Sequence, residues 1–196
     1  MKAVVYDCEI VKAIPSSKEP VVPGVMYCGG WTDFAGMGVS VICAYEYEYD
    51  RCRVFLRDNF PEFAELACAS DVVIGFNNGG FDDKLVEANL DLVIPPQKSY
   101  DLLSEIWVAS GLGRRFAGPQ YGGFGLDACA KANGLPAKSG DGALAPVLWQ
   151  QGKTGQVIDY CLRDVWLTKK LVDLVLWGAF KSPKEVAFPF SVKRPF

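Results

Sequence analysis

Residues 1–10 read MKAVVYDCEI, apolar and β-branched around two acids, which predicts a buried strand rather than the start of a helix. Residues i and i+2 of a strand project from one face, so Asp7 and Glu9 stand side by side. Two like charges in an apolar strand repel each other and resist burial. A divalent cation that favours hard oxygen ligands, Mg2+ or Mn2+, would settle both difficulties. Taken alone, such a short pair fits better a strand end at which Glu9 turns to water.

Outward from this strand, residues 11–37 lose all periodicity and collect Pro15, Pro20, Pro23, Gly24, Gly29, Gly30 and Gly36. They form a long irregular insertion with room for a short strand near Val25–Tyr27, and loops of this length are often functional or lid-like. Val39–Tyr49 and Cys52–Leu56 predict a hairpin turning at Asp50 and Arg51, so the first three strands make an antiparallel meander. Residues 60–69 suit a helix opened by Asn59 and Pro61. Val72–Phe76 reads as a central strand flanked by helices. Further helices are expected over 81–90, 100–110, 126–133 and 144–151, the third stopping at Gly134, with the longest over 154–177. A glycine-rich loop occupies 111–125, and a second irregular stretch ends near Asp141. The ending KSPKEVAFPFSVKRPF alternates prolines with aromatics and cations and reads as a tail that packs on the surface or meets a partner. One domain over 1–178 and a tail over 179–196 are expected.

Two more places carry chemistry. Tyr160 and Asp164 lie four apart on the longest helix, which puts phenol and carboxylate on one face beside an apolar seam of Val157, Cys161, Val165 and Leu171. The same residues also suit an Asp paired with Arg163 or Lys169 and a Tyr at a helix edge. In GFNNGGFDDKL (75–85) a strand runs through a tight turn into a helix, and Asp82 falls in the first helical turn, where the dipole favours an anion. Asn77 and the two glycines leave the backbone open to a ligand. Asp83 reads as an ordinary N-terminal helix acid.

Composition narrows the chemistry further. The 196 residues are 50% apolar, enough for a real core, and include no histidine. Ser-His-Asp and Cys-His triads, His-rich zinc helices and Cys2His2 fingers are therefore excluded. The net charge of −3 argues against a broad electrostatic grip on duplex nucleic acid. Seven cysteines without a CxxC pair read as reduced thiols of a cytoplasmic protein. No apolar run is long enough for a membrane span, and Asp7 comes too early for a signal-peptide core. Of the five tryptophans, Trp107 sits on a helical stripe, Trp166 and Trp177 on the longest helix, and most read as core or edge packing.

Together, Asp7-x-Glu9, Asn77-x3-Phe81-Asp82 and Tyr160-x3-Asp164 resemble in order and spacing the three motifs of the DEDD 3′–5′ exonucleases. The likeness is to the subgroup with Tyr in the third motif, above all the proofreading domains of family B DNA polymerases. SYDLLSEIW, GFGLDACAKANGL and LWQQGK look similar to the stretches between those motifs. The sister subgroup has His where Tyr160 stands, which a chain without histidine cannot match. Residues 11–37 and 178–196 have no counterpart in the pattern, and Gly79-Gly80 stands where it has bulkier residues.

The resemblance implies an α/β, RNase H-like fold: a mixed central sheet whose first three strands form an antiparallel meander, flanked by helices. It implies two divalent cations, Mg2+ or Mn2+, with Asp7, Glu9 and Asp164 at one, Asp7 shared, and Asp82 supporting the other. Tyr160 would orient the attacking water, since a phenol with a pKa of about 10 is a poor base at neutral pH. No side chain is then expected to titrate as a base near neutrality. The implied substrate is the 3′ end of single-stranded or frayed nucleic acid, DNA more readily than RNA, with Asn77 and Phe81 as contacts. Arg114 and Arg115, interleaved with aromatics in the 111–125 loop, suit bases and phosphates, and suit equally a mobile surface loop. A binding module with little turnover, meeting a protein through the 11–37 insertion or the tail, is the competing reading, and the same chemistry on RNA is a third.

Overall fold

The computed structural model describes residues 1–16, 21–136 and 142–196; parts of the two irregular stretches, at 17–20 and 137–141, lie outside the described residues. Strand β1 (Ala3–Ile10) is the centre of a five-stranded sheet in the order β3-β2-β1-β4-β5. On one side it pairs antiparallel with β2 (Val39–Glu46), which pairs antiparallel with β3 (Arg51–Phe55). This is the expected meander, with Arg51 already in the strand and the turn lying before it. Glu46 and Arg51 close the hairpin as an ion pair at 2.8 Å. On its other side β1 runs parallel to β4 (Val72–Gly75), and β4 to β5 (Ser99–Asp101). The sequence reading began a helix at Tyr100; Ser99–Asp101 instead extend the sheet beside β4, and the helix begins at Leu102.

Strand alternation sorts β1 into two cores. Ala3 and Val5 face a layer with α4 (Leu102–Ala109), α5 (Leu126–Ala132), α6 (Ala145–Gln150) and the long α7 (Thr154–Leu176). Val4, Tyr6, Cys8 and Ile10 face the opposite layer, with α2 (Phe60–Ala69), α3 (Asp82–Leu90) and the single-turn α1 (Phe34–Met37) inside the insertion. Asp7 and Glu9 share the parity of Ala3 and Val5, which aims them at α7.

Asn59 stands at the start of α2 as expected, but its side chain accepts from the Leu56 N–H rather than capping the helix. Lys98 donates to the Cys68 and Ser70 carbonyls at the far end of α2, both at 2.9 Å, where a cation is favoured. Helix α7 is tied to the hairpin by Asp173, which takes the Tyr47 hydroxyl at 3.0 Å and the Lys169 ammonium at 2.7 Å. The tail packs on the protein: Val192 is buried, Phe190 stacks on Phe180, and the Lys193 carbonyl accepts the Tyr100 hydroxyl. Trp107 is core as expected, whereas Trp166 and Trp177 lie exposed on α7 and just beyond it.

Candidate metal centre

The approach of α7 to β1 is set by small side chains. Cys161, fully buried, donates its thiol to the Asp7 carbonyl at 3.3 Å, and Cys43 on β2 lies 3.9 Å from the Ile158 carbonyl. Bulkier residues at this seam would push the helix away. One turn after Cys161, Asp164 comes down on the two acids of β1. Asp7, Glu9 and Asp164 each bring one carboxylate oxygen into a group whose members lie within 4.8 Å of one another. Glu9 and Asp164 are buried, at 8% and 5% exposure, and Asp7 is half-buried. Hence Glu9 does not turn to water at the strand end. The donor chemistry fits a hard divalent cation: three anionic oxygens converge from elements more than 150 residues apart in the chain.

Asp82 stands outside that group and reaches β1 through its backbone. β4 accompanies β1 only to the Val5–Ile74 pair, so the N–H of Cys8 has no strand beside it on that edge. The Asp82 carboxylate fills the gap, accepting from Cys8 N–H at 3.0 Å. This anchors the start of α3 between the two acids of β1 in the chain. Burial pushes the Asp82 carboxyl up to about 7, the charges of Asp83 and Asp101 add to the rise, and the Cys8 N–H opposes it. With no cation bound, burial thus sets Asp82 apart from the expectation that no side chain titrates near neutrality.

A raised folded-state value contributes stability at low pH that is lost as Asp82 ionises on the way up to about 7. Without divalent cations, the melting temperature of Asp82→Asn should therefore gain on the wild type between about pH 4 and pH 7. Thermal melts in EDTA across that range check this, and parallel curves would contradict it.

The turn before α3 explains its glycines. Asn77 adopts the left-handed conformation (φ 69°), and its N–H donates to Asp101 Oδ1 at 2.9 Å. A Cβ on Gly80 would stand 2.5 Å from Asn77 Oδ1, so a bulkier residue there would require the Asn77 side chain to move. Phe81 is half-buried and meets Phe34 of the insertion edge-on at 5.9 Å between ring centres.

Two acids escaped the sequence reading. Asp101 accepts from Asn77, Leu103 and Ser104 N–H and from Ser104 Oγ, so it caps α4 and pins the Asn77 turn together. An Asp just before an apolar helical run is a cap signal, and it was present in SYDLL. Asp83 is no ordinary helix acid: it accepts from the Tyr6 hydroxyl, Asn78 Nδ2 and Ser99 Oγ.

The glycine-rich loop is knotted around aromatics. Trp107, Phe116 and Tyr121 are in mutual ring contact, and the Tyr121 hydroxyl accepts from Gly113 N–H at 2.9 Å. The Arg114 guanidinium is held by the buried Glu105, and the Arg114 carbonyl accepts from Ser104 Oγ at 3.0 Å. That contact joins the loop to Asp101 and so to the Asn77 turn, while Arg115 is exposed. Tyr160 lies half-buried one turn before Asp164, with its hydroxyl 3.1 Å from where a Cβ on Gly142 would be.

No family model matches the sequence, and no curated protein matches it. Among solved structures, a family B DNA polymerase from the hyperthermophilic archaeon Pyrobaculum calidifontis shares the fold with a TM-score of 0.60 at 16% identity. The match covers 89% of this chain and 24% of that one, so this protein spans about a quarter of the polymerase's length. The fold is of the mixed α/β, RNase H-like class, and a cluster of acids able to hold a metal ion lies at its sheet. Among the described residues, no helix is long and apolar enough to cross a membrane.

Proposed function

We propose that this protein is a 3′–5′ exonuclease that uses two divalent cations, Mg2+ or Mn2+, to release nucleoside 5′-monophosphates from single-stranded or frayed DNA. The observation that carries this reading is the convergence of Asp7, Glu9 and Asp164 within 4.8 Å. The shared fold with part of a DNA polymerase supports it. Bound cations supply the Lewis acidity that makes water nucleophilic near neutral pH and stabilises charge on the leaving oxygen. Asp7, Glu9 and Asp164 would hold one cation, and Asp82 would support another with Asp7. Tyr160 accepts or donates a hydrogen bond that orients the attacking water. Asn77 and Phe81 flank the terminal nucleotide. In the loop, Arg115 is the better-placed phosphate contact, because Arg114 is engaged by Glu105. Seven unbridged thiols suit a reducing, cytoplasmic setting.

The test is incubation with oligonucleotides labelled at either end, as matched DNA and RNA, with Mg2+, Mn2+ or EDTA. Progressive shortening from the 3′ end, dependent on cation and faster on DNA, is expected. Intact strands, or shortening that EDTA leaves unchanged, would overturn the proposal in favour of a binding scaffold.

A further inference from the structure

We infer that the insertion carries a base-stacking platform, Trp31, which holds an unpaired nucleobase of a single strand beside the acidic site. The inference rests on the exonuclease reading for the direction of the strand, and it stands physically on the insertion itself. Trp31 is 70% exposed on a turn, which leaves its indole open to a flat apolar ligand. Its turn is rigid. Asp33 accepts from Gly29 N–H at 2.6 Å and from Gly36 N–H at 3.0 Å, and its own N–H donates to the Gly30 carbonyl. A Cβ on Gly36 would stand 2.0 Å from Asp33 Oδ2, so the sequence keeps a glycine there to let the turn close around that carboxylate.

This turn is also attached to the site. Three residues on, Phe34 packs edge-on against Phe81, the neighbour of Asp82, and the Phe34 carbonyl accepts from Asn89 of α3. Three residues of chain span at most about 11 Å, which is the limit on the Cα separation of Trp31 from Phe34. Lys84, exposed on the first turns of α3, holds its ammonium 5.6 Å over the Phe34 ring. Phe34, Phe81 and Lys84 are thus in contact at the start of α3, and Trp31 stands three residues before Phe34; aromatic rings with a cation are the means by which single strands are bound through stacking and phosphate neutralisation.

The surroundings argue for a base rather than a protein. Polar residues Thr32 and Asp33 follow Trp31 in the chain. The other exposed apolar residues of the insertion, Val21, Val22 and Met26, belong to the segment that Gln150 of α6 holds through Met26 N–H at 2.7 Å. Trp177, equally exposed, lies beyond the end of α7, roughly 20 Å along the helix axis from Asp164.

The experiment is equilibrium binding of a fluorescein-labelled single-stranded DNA, followed by anisotropy in EDTA so that no turnover intervenes. Trp31→Ala and Trp31→Leu should each weaken binding about tenfold, Trp31→Phe less than about threefold, and Trp177→Ala not measurably. On a strand whose 3′ segment is abasic, wild type and Trp31→Ala should bind alike. Unweakened binding by Trp31→Ala and Trp31→Leu would overturn the platform. So would an equal loss on abasic strands or in Trp177→Ala. If the wild type fails to shorten DNA with Mn2+ while this pattern holds, the platform stands and the exonuclease reading falls. If the wild type shortens DNA and Trp31→Ala binds normally, the platform alone falls.

Discussion

Asp7→Ala should lose at least about 10³-fold in turnover while melting no lower than the wild type in EDTA. The two halves of this result have one cause. Asp7, Glu9 and Asp164 hold carboxylate oxygens within 4.8 Å of one another, with two of the three residues buried. At that separation, and an effective dielectric near 20, each ionised pair repels by about 3 kcal/mol. Folding brings these charges together at a cost, and removing one relieves part of it. The same removal takes away one oxygen donor of the group that could hold a metal ion. In millimolar Mn2+ the wild type should melt higher than in EDTA, because a ligand that binds only the folded state stabilises it. Asp7→Ala should show little of that rise. The measurements are thermal melts with and without Mn2+, beside the end-labelled oligonucleotide assay. A variant that melts several degrees lower in EDTA and still cleaves would make Asp7 a structural acid and sink the assignment.

Where the sequence pattern is periodic, it predicts the site; where contacts are nonlocal, it does not. Asp7 and Glu9 share a face because strands repeat every two residues, and Asp164 stands one turn from Tyr160 because helices repeat every 3.6. Those local rules fix which face each carboxylate occupies; that the two faces meet is implied only by the resemblance to the exonuclease motifs. β5 escapes them because it is three residues long, and only its pairing with Val73–Gly75 makes Ser99–Asp101 a strand. Asp101 works mainly through backbone N–H groups, which carry no side-chain signature beyond the cap position. The tail is held by the Tyr100 hydroxyl and by stacking of Phe190 on Phe180, contacts that bridge segments far apart or fold a short stretch back on itself. Asp82 and Asp83 are the sharpest case. Adjacent residues of one type at a helix start look interchangeable in sequence, yet the 100° between them on the helix sends one to Cys8 of β1 and the other to Tyr6.

Asp83→Ala should therefore be among the most damaging substitutions for stability, costing about 3 kcal/mol or more. An ordinary acid in the first turn of a helix contributes only about 0.3–1 kcal/mol through the dipole. Asp83 does more, because three donors from three segments converge on it: the Tyr6 hydroxyl at 2.5 Å, Asn78 Nδ2 at 3.1 Å and Ser99 Oγ at 2.7 Å. Tyr6 is at 1% exposure, so water does not replace the acceptor its hydroxyl loses, and that orphaned donor bears a desolvation cost of about 1–3 kcal/mol. Asn78 Nδ2, at 0% exposure, loses one acceptor and keeps Ser99 Oγ at 3.0 Å. For a domain of this size, a loss of 3 kcal/mol lowers the melting temperature by roughly 6–12 °C. Pairing Asp83→Ala with Tyr6→Phe removes one stranded hydroxyl, so the double variant should be more stable than the sum of the singles predicts. Urea unfolding of the four proteins measures this. A drop within about 1 kcal/mol for Asp83→Ala, or strict additivity with Tyr6→Phe, would return Asp83 to the role its position alone suggests. The expected result would make the Asp82–Asp83 pair a division of labour. Asp83 fixes α3 to Tyr6, Asn78 and Ser99, and that anchorage holds Asp82 on the open edge of β1, the strand that carries Asp7 and Glu9.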